Sequence, residues 1–273
     1  MMIKLIAIDM DGTLLNDDKQ IPQANKEVLQ KVAQKGVKIV LCTGRMKPGV
    51  IPYFDELGIG DYAILNNGCS TYATKDWSLV DTHGVSFEEI ELLLGIAQEY
   101  SGIYLTLITD NHFYVFADHV PEIVAYDASL VFTEAIAIDL ADLKAKKEPI
   151  FQAMFLGDER VLDQFQKEQE EKLASLFSVV RSQPYIFEAM PKGVTKASAL
   201  ADLARHFGLS SENIMALGDG NNDLEMLAYA GLGVAMGNAT EQVKAITSYQ
   251  TSSNNEAGVA KAIKTYLLNP LFD

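Results

Sequence analysis

The stretch Ile3-Lys4-Leu5-Ile6-Ala7-Ile8-Asp9-Met10-Asp11-Gly12-Thr13-Leu14 decides the fold. Its short apolar run reads as a buried parallel strand, because such strands are covered on both faces and need not alternate. Two carboxylates then stand two residues apart at the strand's carboxyl end, followed by a glycine turn. In that position one carboxylate can attack an electrophile while the other manages a proton. Two acids held this close repel each other, so a cation is expected beside them.

Working outward, strand and helix alternate. Residues 24–35 have helical spacing at Val28, Leu29 and Val32 and stop at Gly36. Residues 37–41 form the next strand, leading into Cys42-Thr43-Gly44-Arg45. A helix over 50–57 begins near Pro48, and strand 62–65 ends at Asn66-Asn67-Gly68. This βαβαβ rhythm predicts a parallel sheet with helices on both faces.

From residue 84 the texture changes. Ser86 and Glu89 predict a capping box opening a helix over 86–100. Residues 104–108 and 113–116 read as strands joined at Thr109-Asp110-Asn111-His112. A strand at 150–156, a charged helix at 159–175 and a hairpin of 179–182 with 185–188 complete an α+β unit. The alternation then returns with a helix over 197–207, strand 214–217, helix 224–230, strand 233–236 and a closing helix over 257–268. The expected organisation is a Rossmann-like α/β core from 1–83 and 191–273, with an α+β unit of 84–190 inserted into it.

The chain of 273 residues has a net charge of −15. Residues 84–190 hold 7 Lys/Arg and 19 Asp/Glu, a net of −12, which leaves −3 for the remainder. An acidic surface of this size argues against nucleic acid or an anionic membrane as partner. No run reaches 18 uninterrupted apolar residues, and the N-terminus leads straight into the first strand, so a cytoplasmic protein is expected. Cys42 and Cys69 follow apolar strands and read as small buried side chains, not as a disulfide or zinc framework. The four histidines are scattered, without HExxH spacing.

Four polar motifs follow apolar elements: Asp9/Asp11, Thr43-Gly44, Lys196, and Asp219 to Asp223. Ligands of open parallel sheets bind beyond the strands' carboxyl ends, and three of the motifs stand there; Lys196 can reach in from a helix start. Together they offer a nucleophile, a hydroxyl, an ammonium and an acidic cluster. Oxygen-only ligands suit Mg²⁺.

In this order the motifs resemble those of the haloacid dehalogenase superfamily, and within it the Cof-type phosphatases. Asp9-Met10-Asp11-Gly12-Thr13 resembles the first motif, Thr43-Gly44-Arg45 the second, Lys192-Gly193-Val194-Thr195-Lys196 the third, and Gly218-Asp219-Gly220-Asn221-Asn222-Asp223 the fourth. The resemblance implies that Asp9 is a nucleophile forming an aspartyl-phosphate and that Asp11 is the acid and base. It further implies Mg²⁺ bound by Asp9, Asp219 and the Asp11 backbone carbonyl, with Asp223 supporting them and orienting Lys196. Thr43, the Gly44 and Met10 amides, Lys196 and Asn222 would hold the phosphoryl oxygens. Insertion between the second and third motifs resembles the C2B type of cap, which implies that residues reading the leaving group lie on it. Tyr185, Phe187 and Glu188 are weak candidates, with a surface role the commoner one for Glu188. Ala197 and Met10 stand where glycine and leucine are commoner, and neither change removes a functional group.

The resemblance therefore implies a Mg²⁺-dependent phosphatase of small phosphorylated metabolites, most simply sugar phosphates, as monomer or homodimer. A phosphomannomutase-like phosphotransferase and a non-catalytic phosphosugar-binding module are the alternatives; loss of Asp9 or Asp11 would mark the latter, and both are present. Arg45 is open between substrate contact and an interior ion pair. Lys192 competes with Lys196 for the third motif.

Overall fold

A computed structural model describes residues 2–268. In chain order the strands are β1 (Leu5–Ile8), β2 (Lys38–Cys42), β3 (Tyr62–Leu65), β4 (Ser70–Ala73) and β5 (Ser78–Thr82). There follow β6 (Ile103–Ile108), β7 (Phe113–Phe116), β8 (Ala135–Ile138), β9 (Gln152–Gly157), β10 (Phe177–Gln183) and β11 (Ile186–Pro191). The last are β12 (Ile214–Gly218), β13 (Leu232–Ala235) and β14 (Tyr249–Gln250). The helices are α1 (Gln23–Ala33), α2 (Ile51–Leu57), α3 (Phe87–Gln98), α4 (Glu122–Leu130), α5 (Leu140–Lys146) and α6 (Glu159–Leu176). After them come α7 (Lys196–His206), α8 (Leu224–Tyr229), α9 (Glu241–Ile246) and α10 (Gly258–Tyr266).

The chain forms two compact units. One contains the residues up to Thr43, Tyr53–Asp81 and those from Thr195 on; the other contains Gly44–Pro52 and Thr82–Val194. The boundaries expected from sequence stand a few residues from these, and segment 44–52 groups with the second unit. Its physical anchor there is Met46, buried among Val115, Val124 and Met154.

The first unit is built on a sheet of order β14-β13-β12-β1-β2-β3-β4-β5. Strands β14 to β3 run parallel, and β4 turns back antiparallel on β3. All four residues of β1 are buried, as a strand flanked by parallel neighbours on both edges requires. From β1 the chain crosses to β2 through α1, and from β12 it crosses the opposite way to β13 through α8. Right-handed crossovers in opposite directions place α1 and α8 on opposite faces. Helix α10 packs on α1, and α7 on α8. Loops after β1, β2, β3 and β12 all emerge at the carboxyl edge, where an order reversal opens a crevice.

The second unit has a sheet of order β10-β11-β9-β6-β7-β8, antiparallel except for β7 with β8. Strict alternation sorts its residues. Leu105, Leu107, Phe155 and Phe187 join the core under α3 and α6, while Ile108, Val115, Met154 and Ile186 face α4 and Met46. The Ser86 capping box forms, with the hydroxyl accepting from Glu89 N at 3.2 Å and Glu89 Oε2 accepting from Ser86 N at 2.7 Å. Phe187 is therefore core and not a reader of ligands. Glu188 is buried at 4% exposure and accepts from Gln152 Nε2, which corrects its expected surface position. Tyr185 donates to Asp127 Oδ1 at 3.1 Å.

Candidate active site

The carboxyl edge of the first unit collects the expected residues from distant parts of the chain. Asp9 leaves β1 buried, its amide donating to Leu217 O of β12 at 3.0 Å. Lys196 is the first residue of α7, a helix capped by Thr195, whose side chain accepts from Ser198 N. That start aims the ammonium inward: Nζ lies 2.7 Å from Asp9 Oδ1 and 2.7 Å from Asp223 Oδ1. The lysine is 1% exposed. Lys192 instead donates to the carbonyls of Ala174 and Phe177 within the second unit, so it is not the ammonium beside Asp9.

Asp223 uses its other oxygen to accept from the amides of Asp219 and Gly220, each at 3.0 Å. Both its oxygens are therefore engaged, one in folding the loop after β12 and one in orienting Lys196. Asp219 lies against the first motif. Its Oδ1 accepts from the Thr13 hydroxyl at 2.7 Å. A Cβ on Gly12 would stand 2.3 Å from Asp219 Oδ2, and Gly12 has φ +78°, so this glycine serves both the turn and the close approach.

Thr43 is buried at the end of β2, where its amide donates to Ile64 O at 2.9 Å and its carbonyl accepts from Asn67 N at 3.0 Å. Asn67 Oδ1 in turn accepts from Asn222 Nδ2 at 3.0 Å. The tight contact of Gly68 with Thr195, 2.3 Å from a virtual Cβ to the carbonyl oxygen at φ +105°, locks the same loop to the start of α7. Asn66-Asn67-Gly68, readable from sequence as a plain turn, is thus the joint between the second, third and fourth motifs. Gly44 directly follows Thr43 and opens the second unit. Met10 is buried, and its carbonyl accepts from Thr13 N and Leu15 N. Asp11 is half-buried and pairs with Lys19 at 2.7 Å. The Arg45 guanidinium is buried and donates to Gly49 O at 3.1 Å.

Charge in this crevice is unbalanced. The carboxylates of Asp9, Asp219 and Asp223 offer oxygens all within 4.8 Å of one another, and Lys196 is the ammonium bonded to two of them. Burial, then the Asp223 charge, push Asp9 well above the usual carboxylate range despite Lys196. Burial likewise raises Asp219 to about 6, with Thr13 opposing and Asp223 adding. For Lys196 burial acts downward, but Asp223 and Asp9 outweigh it and keep it protonated. Burial also pushes the Cys42 thiol up, which removes it as a nucleophile. An all-oxygen donor set with surplus negative charge fits a hard divalent cation such as Mg²⁺, which would hold these acids ionised.

Comparison with known proteins identifies the family. The family model described as haloacid dehalogenase-like hydrolase matches residues 6–263. The chain belongs to the haloacid dehalogenase-like hydrolases. It is 35% identical to YxeH of Bacillus subtilis (strain 168) over 98% of this chain and 99% of that protein. It is 32% identical to the 5-amino-6-(5-phospho-D-ribitylamino)uracil phosphatase YcsE of the same organism, covering 97% of this chain and 96% of YcsE. Among solved structures, a subclass IIB sugar phosphatase of the superfamily superposes with a TM-score of 0.81 at 25% identity, covering 96% of this hydrolase and 98% of that chain. Among the described residues no helix is long and apolar enough to cross a membrane.

Two residues of the hydrolase's crevice were not singled out from sequence. Thr13 lies inside the first motif, where its hydroxyl has no local partner. Asn238 follows β13 and donates to Gly12 O at 2.8 Å. A polar residue just beyond a parallel strand's carboxyl end was its available signal.

Proposed function

We propose that this hydrolase is a Mg²⁺-dependent phosphatase that cleaves phosphomonoesters of small metabolites, sugar phosphates foremost, through an aspartyl-phosphate on Asp9. The observation that carries the reading is the buried Lys196 ammonium bridging Asp9 and Asp223 at 2.7 Å each, with the Asp219 carboxylate alongside. The sugar phosphatase and YcsE, to which the chain is similar, both act on small phosphorylated compounds by their names.

In this reading Asp9, Asp219 and the Asp11 carbonyl hold Mg²⁺, with Asp223 behind them. The ion would neutralise the repulsion between an attacking carboxylate and a phosphate dianion. An Asp9 carboxylate oxygen forms a bond to phosphorus as the ester P–O bond breaks. Asp11, protonated, gives its proton to the departing alkoxide. Asp11, now a carboxylate, takes a proton from water, whose oxygen attacks phosphorus and releases phosphate and free Asp9. The exposed Lys19 contact is worth about 0–1 kcal/mol, so Asp11 can leave it to do this work. Lys196, the Thr43 hydroxyl, the Met10 and Gly44 amides and Asn222 hold the phosphoryl oxygens as charge redistributes over them.

Phosphate release from a panel of phosphorylated metabolites, with and without Mg²⁺ and alongside Asp9→Asn, tests the proposal. Magnesium-dependent turnover that the variant lacks supports it. Phosphosugar binding without release from any compound overturns it in favour of a phosphotransferase or a binding module.

A further inference from the structure

Asp219 is held from two sides by side chains that belong to other segments. Thr13, fully buried, donates to Oδ1 at 2.7 Å. Asn238 donates to Gly12 O at 2.8 Å and stands 3.4 Å from Asp219 Oδ2. The orientation of the Asn238 amide is fixed by its surroundings: its oxygen must face the Asn254 N–H at 3.0 Å, which leaves the NH₂ for Gly12 O and Asp219. Asn254 is itself tied to the first motif's flank, donating to Leu15 O and Asp17 Oδ1 at 3.0 Å each. The Asp219 carbonyl is also engaged, accepting from Thr240 N at 3.0 Å. Glycine at position 12 lets this clamp close, since any Cβ there would occupy the carboxylate's place.

We infer that Thr13 and Asn238 are positioning residues that preset the Asp219 carboxylate for cation binding, Thr13 by holding one oxygen and Asn238 by fixing the other against the Gly12 turn. The inference rests on the reading of Asp219 as a Mg²⁺ ligand. The carboxylate bears at most two good donors from protein, so lone pairs remain for a cation while its rotation is restricted. Removing partners of a ligating carboxylate costs about 10–100-fold in metal affinity. Thr13 sits in a dry position, where the loss should be toward the upper half of that range. Asn238 is exposed, where water can replace part of its contact, and the loss should be nearer 10-fold.

The test is calorimetric titration of the full chain with MgCl₂, without substrate, for wild type, Thr13→Val, Thr13→Ser and Asn238→Ala, each with its metal-free thermal midpoint. The isosteric Thr13→Val should bind Mg²⁺ at least about 10-fold more weakly, while Thr13→Ser, which keeps the hydroxyl, restores affinity to within about threefold. Asn254→Ala, which removes the side-chain bonds to Leu15 O and Asp17 Oδ1 but keeps the backbone N–H that faces Asn238 Oδ1, should lower the midpoint and leave Mg²⁺ affinity unchanged. If Thr13→Ser binds as weakly as Thr13→Val, or if Thr13→Val and Asn238→Ala bind like wild type, the inference is overturned. If wild type itself shows no saturable Mg²⁺ binding, the functional reading beneath it fails instead.

Discussion

Replacing Lys196 by Met removes a buried charge while preserving most of the side chain's length and packing. At 2.7 Å, each carboxylate–ammonium pair is worth about 6 kcal/mol at an effective dielectric near 20. Desolvation of the ammonium and of the acids cancels much of that attraction. What is left when one partner of a buried network is deleted is about 3–5 kcal/mol of destabilisation, because the remaining charges stay buried and uncompensated. The pH dependence identifies the source. Lys196 stays protonated across neutral pH, so its contribution is constant there. Asp9 already titrates well above an ordinary carboxylate, and without Lys196 it rises further. A carboxyl group raised in the folded state is fully accommodated below its unfolded value and costs stability progressively as pH climbs above it. The deficit of Lys196→Met should therefore be smallest in acid, where Asp9 holds its proton with or without Lys196, and should widen as pH rises through the folded-state titration of Asp9, well above the usual carboxylate range. Urea unfolding in EDTA, followed by circular dichroism as pH is raised, reads this directly. A deficit under about 1 kcal/mol that does not change with pH would refute the buried network.

Three further outcomes follow from the same geometry. Gly12→Ala drives a methyl group to within 2.3 Å of Asp219 Oδ2 at φ +78°; displacement of that carboxylate by about 1 Å should cost roughly 100-fold in turnover, measured as steady-state phosphate release. Gly68→Ala collides with Thr195 O in a left-handed conformation, and a loss of about 2 kcal/mol or more should appear as a lower urea midpoint. Because the metal-free Asp219 titrates at about 6, a cation must displace a proton in acid. Mg²⁺ affinity by calorimetry should thus fall as pH drops below that value; a flat profile from about pH 5 to pH 7 contradicts the shift.

Much of this architecture is legible in the sequence because local signals and tertiary demands agree. The apolar run ending at Asp9 is a strand buried on both faces, the Ser86 and Glu89 pair caps α3, and Gly208 ends the helix that Lys196 opens. The elements that sequence reading left out lack such agreement. Ser78–Thr82 is a fully exposed edge strand, and Ala135–Ile138 is a four-residue edge strand in which only Ile138 is buried. Neither carries the burial pattern that marks a strand, so sheet pairing alone creates them. Helix α4 buries only three residues and has no side-chain cap.

The site divides in the same way. Asp9, Lys196, Asp219 and Asp223 are readable because each stands at the end of an apolar element or at a helix start. Thr13 and Asn238 acquire their meaning from partners 206 and 226 residues away, a distance over which no local pattern operates. Phe187 and Glu188 show the reverse error. Their hairpin was visible, but the faces its alternating side chains would meet depend on β9 beside it, and that register buries both.

The central claim is that Asp9 forms the covalent intermediate, and it can be tested on the carboxylate itself. Borohydride added to the enzyme during turnover reduces an acyl phosphate to the alcohol, and peptide mapping then locates the modified residue. The account predicts homoserine at position 9, only with Mg²⁺ and a phosphomonoester substrate present. Steady phosphate release with Asp9 unmodified, or with the mark on another residue, would contradict it.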